Sequence, residues 1–185
     1  MNLTKLIPYQ NKNHLQDKAN SILYVNKIMN PSVDLDKIIE SYKNIKVIQL
    51  NQDSKTILKK NKAIIIINNN LDYRDYRQQL AEEFCHSVLH MGNQFFYDNE
   101  ITLNKQENQA KQMSAYLLCP ISMIKEIGMD TDNYALIEEL ADIFKVTYKF
   151  MHYRLSLIWG QDIDLITYSK RQAYAYFDFD NIFLP

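Results

Sequence analysis

The stretch Leu80-Ala81-Glu82-Glu83-Phe84-Cys85-His86-Ser87-Val88-Leu89-His90 constrains this chain more than any other. Drawn as a helix at about 100° per residue, its side chains sort by chemistry. With Glu82 set at zero, His86 falls near ~40°, His90 near ~80° and Glu83 near ~100°. Ala81, Phe84, Cys85 and Val88 take the opposite arc, with Leu89 at its border beside Glu82. One face can pack on a core. The other gathers two carboxylates and two imidazoles in a single stripe, the donor set a divalent metal needs. An amphipathic helix with a merely polar outer face has the same pattern, so a metal site requires a third ligand from elsewhere.

The rest of the chain bounds the options. A length of 185 residues suits one domain, or one domain with a helical appendix. The charge is close to balanced, 21 basic against 22 acidic residues, which gives no global pull toward nucleic acid or a membrane surface. Two cysteines, Cys85 and Cys119, offer no disulfide framework and fit a reducing cytoplasm as small buried hydrophobes. The N-terminus lacks a signal-peptide apolar core, and no run is long enough to span a bilayer. Nothing in the sequence fixes an oligomeric state.

In chain order, spaced apolar residues predict a helix from about His14 to Ile28, broken by Asn30-Pro31-Ser32. A second runs from Asp34, a capping residue, to about Tyr42. Three strands follow, Ile45 to Leu50, Lys55 to Leu58, and the β-branched run Ala63 to Ile67, which reads as buried on both faces. Lys59, Lys60 and Lys62 read as a solvated turn between the last two. The stripe-bearing helix spans about Asp75 to Met91, with Gly92 at its stop and a short extended piece from Gln94 to Tyr97.

A further helix from about Asn104 to Leu118, ended by Pro120, aligns Glu107, Ala110, Ser114 and Leu118 on one face. The small Ala110 and Ser114 let another helix approach closely, which would carry Glu107 up to the Glu82/His86 stripe as the third ligand. An exposed glutamate in a first helical turn accounts equally for Glu107. Residues from Asp132 to Ile158 read as two helices about a tight joint at Lys145-Val146-Thr147. Acidic Asp132, Glu138, Glu139 and Asp142 offset Lys145, Lys149 and Arg154 there, so packing or partner docking is favoured over DNA contact. Aromatics two apart, Tyr174/Tyr176 and Phe177/Phe179, suggest an extended edge packed on the body.

Two of these segments carry a family resemblance. Glu82-Glu83-Phe84-Cys85-His86 resembles the H-E-x-x-H helix of metallopeptidases, with Glu82 at the first His position. The alternative register, His86-xxx-His90, would put Ser87 where the general base belongs. The run Glu107-Asn-Gln-Ala110-Lys-Gln-Met-Ser114-Ala115-Tyr-Leu-Leu118-Cys-Pro120 resembles the third-ligand helix of the ImmA/IrrE-type metallopeptidases of bacteria, phages and mobile elements. Weaker pointers are Val33-Asp34-Leu35, Ile64 to Asn68, Arg77, and Phe144-Lys145-Val146-Thr147 with Arg154-Leu155. The resemblance extends from about Val33 to Leu157.

The resemblance implies an α+β fold, with a small mostly antiparallel sheet packed on a zincin-like active helix. Residues 1–128 would form that domain and 129–185 a helical, helix-turn-helix-like segment packed on it. It implies metal held by Glu82, His86 and Glu107, and Glu83 as the base that deprotonates the bound water. His90 would be a second-shell or transition-state contact, and Ile64, Ile65, Ile66 and Ile67 an edge strand for an extended substrate. The ion would be Zn2+, with Mn2+ or Fe2+ admitted by the oxygen-rich set. The implied function is a cytoplasmic metallo-endopeptidase acting on a helix-turn-helix repressor of a phage, mobile element or stress response. The alternative, prompted by Glu82 in place of His, is an inactive peptidase-like protein that sequesters a regulator.

Overall fold

The computed structural model describes Leu3 and residues 7–91, 100–127, 134–163, 165–169 and 172–176, with 134–136, 165–169 and 172–176 described as backbone. Asn13 opens α1 (His14–Val25) by accepting from the Leu15 amide at 2.9 Å, and its own amide group donates to the Tyr116 hydroxyl at 3.0 Å. Leu15, Ala19, Ile22 and Leu23 form the buried face. α1 stops three residues before the expected Ile28. Lys27 takes φ 55°, and the amides of Lys27 and Ile28 turn back to the carbonyls of Tyr24 and Leu23 at 3.1 and 3.0 Å. This is the left-handed closure usually built on glycine, and Ile28 folds onto the core behind it. Asp34 caps α2 (Leu35–Glu40) by accepting from the Lys37 amide at 3.1 Å.

The first sheet comprises β1 (Ile45–Leu50), β2 (Lys55–Lys59) and β3 (Lys62–Asn68), in the order β1-β3-β2. The β2–β3 pair is an antiparallel hairpin closed at Lys60-Asn61, whereas β1 runs parallel to β3. The sheet is therefore mixed, half parallel by pairing. Two readings of the isoleucine run change. β3 is the central strand, hydrogen-bonded on both sides, so Ile64 to Ile67 are not an edge. The run is also not buried throughout: Ile65 and Ile67 are fully covered on one face, while on the other Ile66 is 5% exposed and Ile64 41%.

α3 (Tyr73–His90) crosses the covered face, capped by Asp72, which accepts from the amides of Arg74 and Asp75. Leu80, Ala81, Phe84 and Cys85 lie in the core, with Tyr42 edge-on to Phe84 at 5.1 Å. α4 (Glu100–Leu118) packs against both α1 and α3, and its Ala110, Ser114 and Leu118 are wholly buried. α5 (Ile121–Glu126) follows Pro120. Gly92 and the Gln94–Tyr97 piece lie outside the described residues.

β4 (Tyr134–Leu136) precedes α6 (Ile137–Phe144) and α7 (Tyr148–Trp159), the expected helix pair. α6 ends as α1 does, on a left-handed Lys145 (φ 55°) with Val146 buried behind it. A Cβ in that region costs about 1–2 kcal/mol; Gly160 (φ 72°) closes α7 without it. The joint between α6 and α7 is gripped by α3. Gln78 accepts from both the amide and the hydroxyl of Thr147, at 2.7 and 2.8 Å. Arg74 pairs with Asp142 and donates to the Val146 carbonyl, and Arg77 donates to the carbonyls of Lys145 and Val33. From α7, the wholly buried Arg154 donates to the Cys119 carbonyl at 2.8 Å, placing a cation at the C-terminal end of α4 where the helix dipole favours one. Tyr148 and Lys149 are the exposed residues of α7, so this second helix shows no cationic face.

β5 (Leu165–Ser169) and β6 (Gln172–Tyr176) pair antiparallel with β4 in the order β4-β5-β6. The C-terminal segment thus adds strands to its helices, and Tyr174 and Tyr176 fall in β6 while Phe177 and Phe179 lie outside the described residues. No helix among the described residues is long and apolar enough to cross a membrane.

Candidate metal centre

Each donor reaches the site because its helix has somewhere else to bury its opposite side. On α3, Ala81, Phe84 and Cys85 are fully covered, which turns Glu82, Glu83 and His86 toward α4 and the β2 side of the sheet. On α4, Ala110, Met113, Ser114 and Leu117 are fully covered, and Glu107 stands one turn before them. His86 Nε2 and Glu107 Oε2 are 3.3 Å apart, the imidazole side chain 14% exposed and the carboxylate 64%.

Glu82, His86 and Glu107 each offer a ligand atom, and these atoms all lie within 4.8 Å of one another. Ligands around a tetrahedral ion, with bonds of about 2.0–2.2 Å, stand roughly 3.4 Å apart. Rotation of the exposed Glu107 side chain covers the difference. The donor chemistry agrees with the spacing, because imidazole and carboxylate both bind zinc and the carboxylates also suit manganese.

The electrostatics point the same way. Burial raises the Glu82 pKa above the ordinary 4.5, and the neighbouring Glu107 charge adds to it while Lys111 opposes. Glu83 is raised to about 7, first by burial and then by Glu82 and Glu107, with the nearby Thr56 side chain acting in the opposite sense. Burial lowers the pKa of His86, with Glu107 opposing. His90 is lowered by burial and by His86. Glu82 and Glu83, withdrawn from water beside the Glu107 charge, resist ionising, and two imidazoles kept neutral are in the form that binds metal. A divalent cation would relieve the first and use the second.

A cleft of about 240 Å³ opens at this point, lined by Glu83, His86, His90 and Glu107 together with Gln106 and Thr56. Ser54, Lys55 and Leu58 complete the β2 wall. Glu82 faces an adjoining hollow of about 350 Å³, in which Glu83 and Ser54 also take part. Glu83 therefore stands between the two.

Placement of the remaining sequence candidates is mixed. His90 reaches the cleft; its ring lies 5.7 Å from that of His86, and it is 6% exposed with Nε2 unpartnered among the described residues. Ile64 to Ile67 do not line it, because β3 is interior and the neighbouring edge is β2. Thr56 was not singled out from sequence. Its hydroxyl donates to the Glu83 carbonyl at 2.8 Å, fastening the edge strand to the helix beside the carboxylate. The only sequence signal was alternation within Lys55 to Leu58, which sets Thr56 and Leu58 on one face.

Comparison with known proteins adds three findings. The model of the family described as IrrE N-terminal-like domain, Peptidase_M78, matches residues 40–156. Phage-like element PBSX protein XkdA of Bacillus subtilis (strain 168) is 26% identical over 110 residues, 60% of this chain; the chain spans 54% of that relative's length. A solved structure titled Mycobacterium tuberculosis transcriptional regulator superposes with a TM-score of 0.54 at 14% identity, over 78% of this chain and 47% of the other.

Proposed function

This chain belongs to the IrrE N-terminal-like peptidase family, and on that premise we propose that it is a cytoplasmic metal-dependent endopeptidase acting on a helix-turn-helix transcriptional repressor. One observation carries the reading: Glu82, His86 and Glu107 present donor atoms within 4.8 Å, next to Glu83 and a cleft. In this role Glu82, His86 and Glu107 hold the ion, Zn2+ in the first instance, with Mn2+ or Fe2+ admitted by the oxygen-rich set. When bound, such an ion acidifies water and polarises a carbonyl. Glu83 takes up a proton in the cleft and returns it to the departing amine. His90, in the same cleft, orients His86 or donates to the substrate carbonyl.

The substrate strand is assigned to the β2 edge rather than to β3. Ser54, Lys55, Thr56 and Leu58 border the cleft, and an edge offers unpaired backbone groups to an extended peptide. The phage-element name of the relative XkdA supports a phage or mobile-element setting; the target proposed is a repressor of such an element or of a stress response. The test is elemental analysis of the purified protein followed by incubation with candidate helix-turn-helix repressors. Stoichiometric metal and a discrete cleavage that Glu83→Gln abolishes are expected; cleavage surviving in that variant defeats the mechanism.

One observation favours a second reading, a peptidase-like protein that sequesters a regulator without hydrolysis. Glu82 stands where the family motif has His. Two carboxylates and one neutral imidazole cancel the charge of a divalent ion, so water on it is acidified less than in a two-His site. Tight repressor binding with no cleavage at any metal loading would select this reading.

A further inference from the structure

The sheet face turned away from α3 carries a second charged cavity. Between positions 43 and 62 the chain has six lysines and one aspartate, in a protein whose net charge is −1. Five of those lysines, Lys43, Lys46, Lys59, Lys60 and Lys62, line a groove of about 780 Å³. Among the described residues no acidic residue lines it and none of the five lysines has an ion-pair partner. Its floor is aliphatic. Ile57 and Ile64 face each other across the β2–β3 ladder and are 47% and 41% exposed.

Holding lysines there costs the fold stability. Lys59 and Lys62 are direct cross-strand partners, a like-charge pairing that destabilises a hairpin. Lys60 sits at φ 53°, where a side chain is strained and where the adjacent asparagine type is the more usual occupant. Both costs fall on the residues that supply the groove's charge.

We propose that this groove docks an acidic amphipathic segment of a partner protein, apolar on the side that meets Ile57 and Ile64 and carboxylate-bearing along its flanks. Charge complementarity selects the sign. The aliphatic floor selects a peptide over nucleic acid, since it offers no aromatic platform and no arginine fork for bases. Concavity selects it over a lipid surface. The groove lies across the sheet from the metal centre, so docking there does not depend on hydrolysis.

The test uses the full chain with isoleucine methyl groups isotopically labelled. The probes are a synthetic helical peptide with Leu on one face and Glu on the other, its twin with Lys for Glu, a DNA duplex, and phosphatidylserine vesicles. The Glu peptide should shift the Ile57 and Ile64 methyl signals, with affinity falling steeply from ~50 to ~500 mM salt. The combined change Lys46→Glu, Lys59→Glu and Lys62→Glu should weaken it at least about tenfold. Ile64→Ser should weaken it with the charge unchanged, and metal content should stay at the wild-type level in both. Equal binding of the Lys peptide, preference for DNA or vesicles, no binding of the Glu peptide, or indifference to charge reversal would each overturn the proposal.

Discussion

Two clusters of like charge lie on opposite faces of one small sheet, and they behave differently. On the α3 side, Glu82, Glu83 and Glu107 are few but crowded, and burial pushes the first two up in pKa, Glu83 to about 7. On the other side the five groove lysines outnumber them, yet all are solvent-exposed. The number of charges does not decide the matter. Withdrawal from water does, because desolvation penalises a charged form far more than a screened neighbour does. The half-buried cluster calls for a compact cation that enters its shell; the exposed one suits a broad partner that lies over it.

The comparison breaks most completely at Glu83. Under the proposed function, Glu83→Gln should cut peptide cleavage by roughly 10²–10⁴-fold, the range for a lost general base. Metal content measured on the same sample should be unchanged, and a parallel loss of metal would mean the residue is a ligand.

Next in size is the response to metal. Saturation at about 100 times Kd should stabilise the fold by about 2.7 kcal/mol, or roughly 5–10 °C in Tm for a chain of this length. Glu107→Gln and His86→Ala should remove that gain, whereas charge reversal in the lysine groove should leave it whole. A Tm insensitive to metal in the unmodified protein would remove the centre.

The pH response separates the clusters further. Glu83 has a folded pKa of about 7 against an ordinary 4.5. A group raised on folding contributes its full stability below the unfolded pKa and loses it as pH rises through the folded value. Metal-free protein should therefore lose Tm relative to Glu83→Gln between pH 4.5 and 7, and the difference should level off above that window. His86 and His90, lowered by burial, act in the opposite sense as pH falls below 6.5, but both variants share them. Parallel curves would show that Glu83 is not held protonated by the fold.

The smallest effect belongs to the lysines. Lys62→Glu turns a like-charge cross-strand pair with Lys59 into an opposite one, which should gain about 0.2–1 kcal/mol in denaturant unfolding. Destabilisation would indicate that Lys62 already has a favourable contact on the folded sheet.

The sequence made the helices legible because their buried faces repeat at 3.6 residues. The α3 and α4 faces followed from that spacing, which with the small Ala110 and Ser114 admitted a meeting of Glu82, His86 and Glu107 but left Glu107 equally readable as an exposed first-turn glutamate; the family resemblance chose between them. Helix ends were less legible. Closure at Lys27 uses a conformation normally announced by glycine, so periodicity alone overran to Ile28. Strand neighbours were legible only at the tight turn that joins β2 to β3; the parallel pairing of β1 with β3 was not. β3 became central, and Ile64 exposed, only through pairing with β1 on one side and β2 on the other. The same pairing delivered Thr56 to Glu83, a contact between residues 27 positions apart that no short motif encodes.

The grip of α3 on the 145–147 joint has a further consequence. Arg74, Arg77 and Gln78 fasten the helix within one to two turns of Glu82. A helix is stiff over so short a length, so the rod that is bolted at one end carries the donors at the other. Leverage applied to the terminal helix pair would be transmitted as a change of pitch or tilt between α3 and α4. A binding event that never approaches the cleft could then loosen or tighten its hold on the ion, and Gln78→Ala, which removes one bolt, should shift metal affinity without touching a ligand.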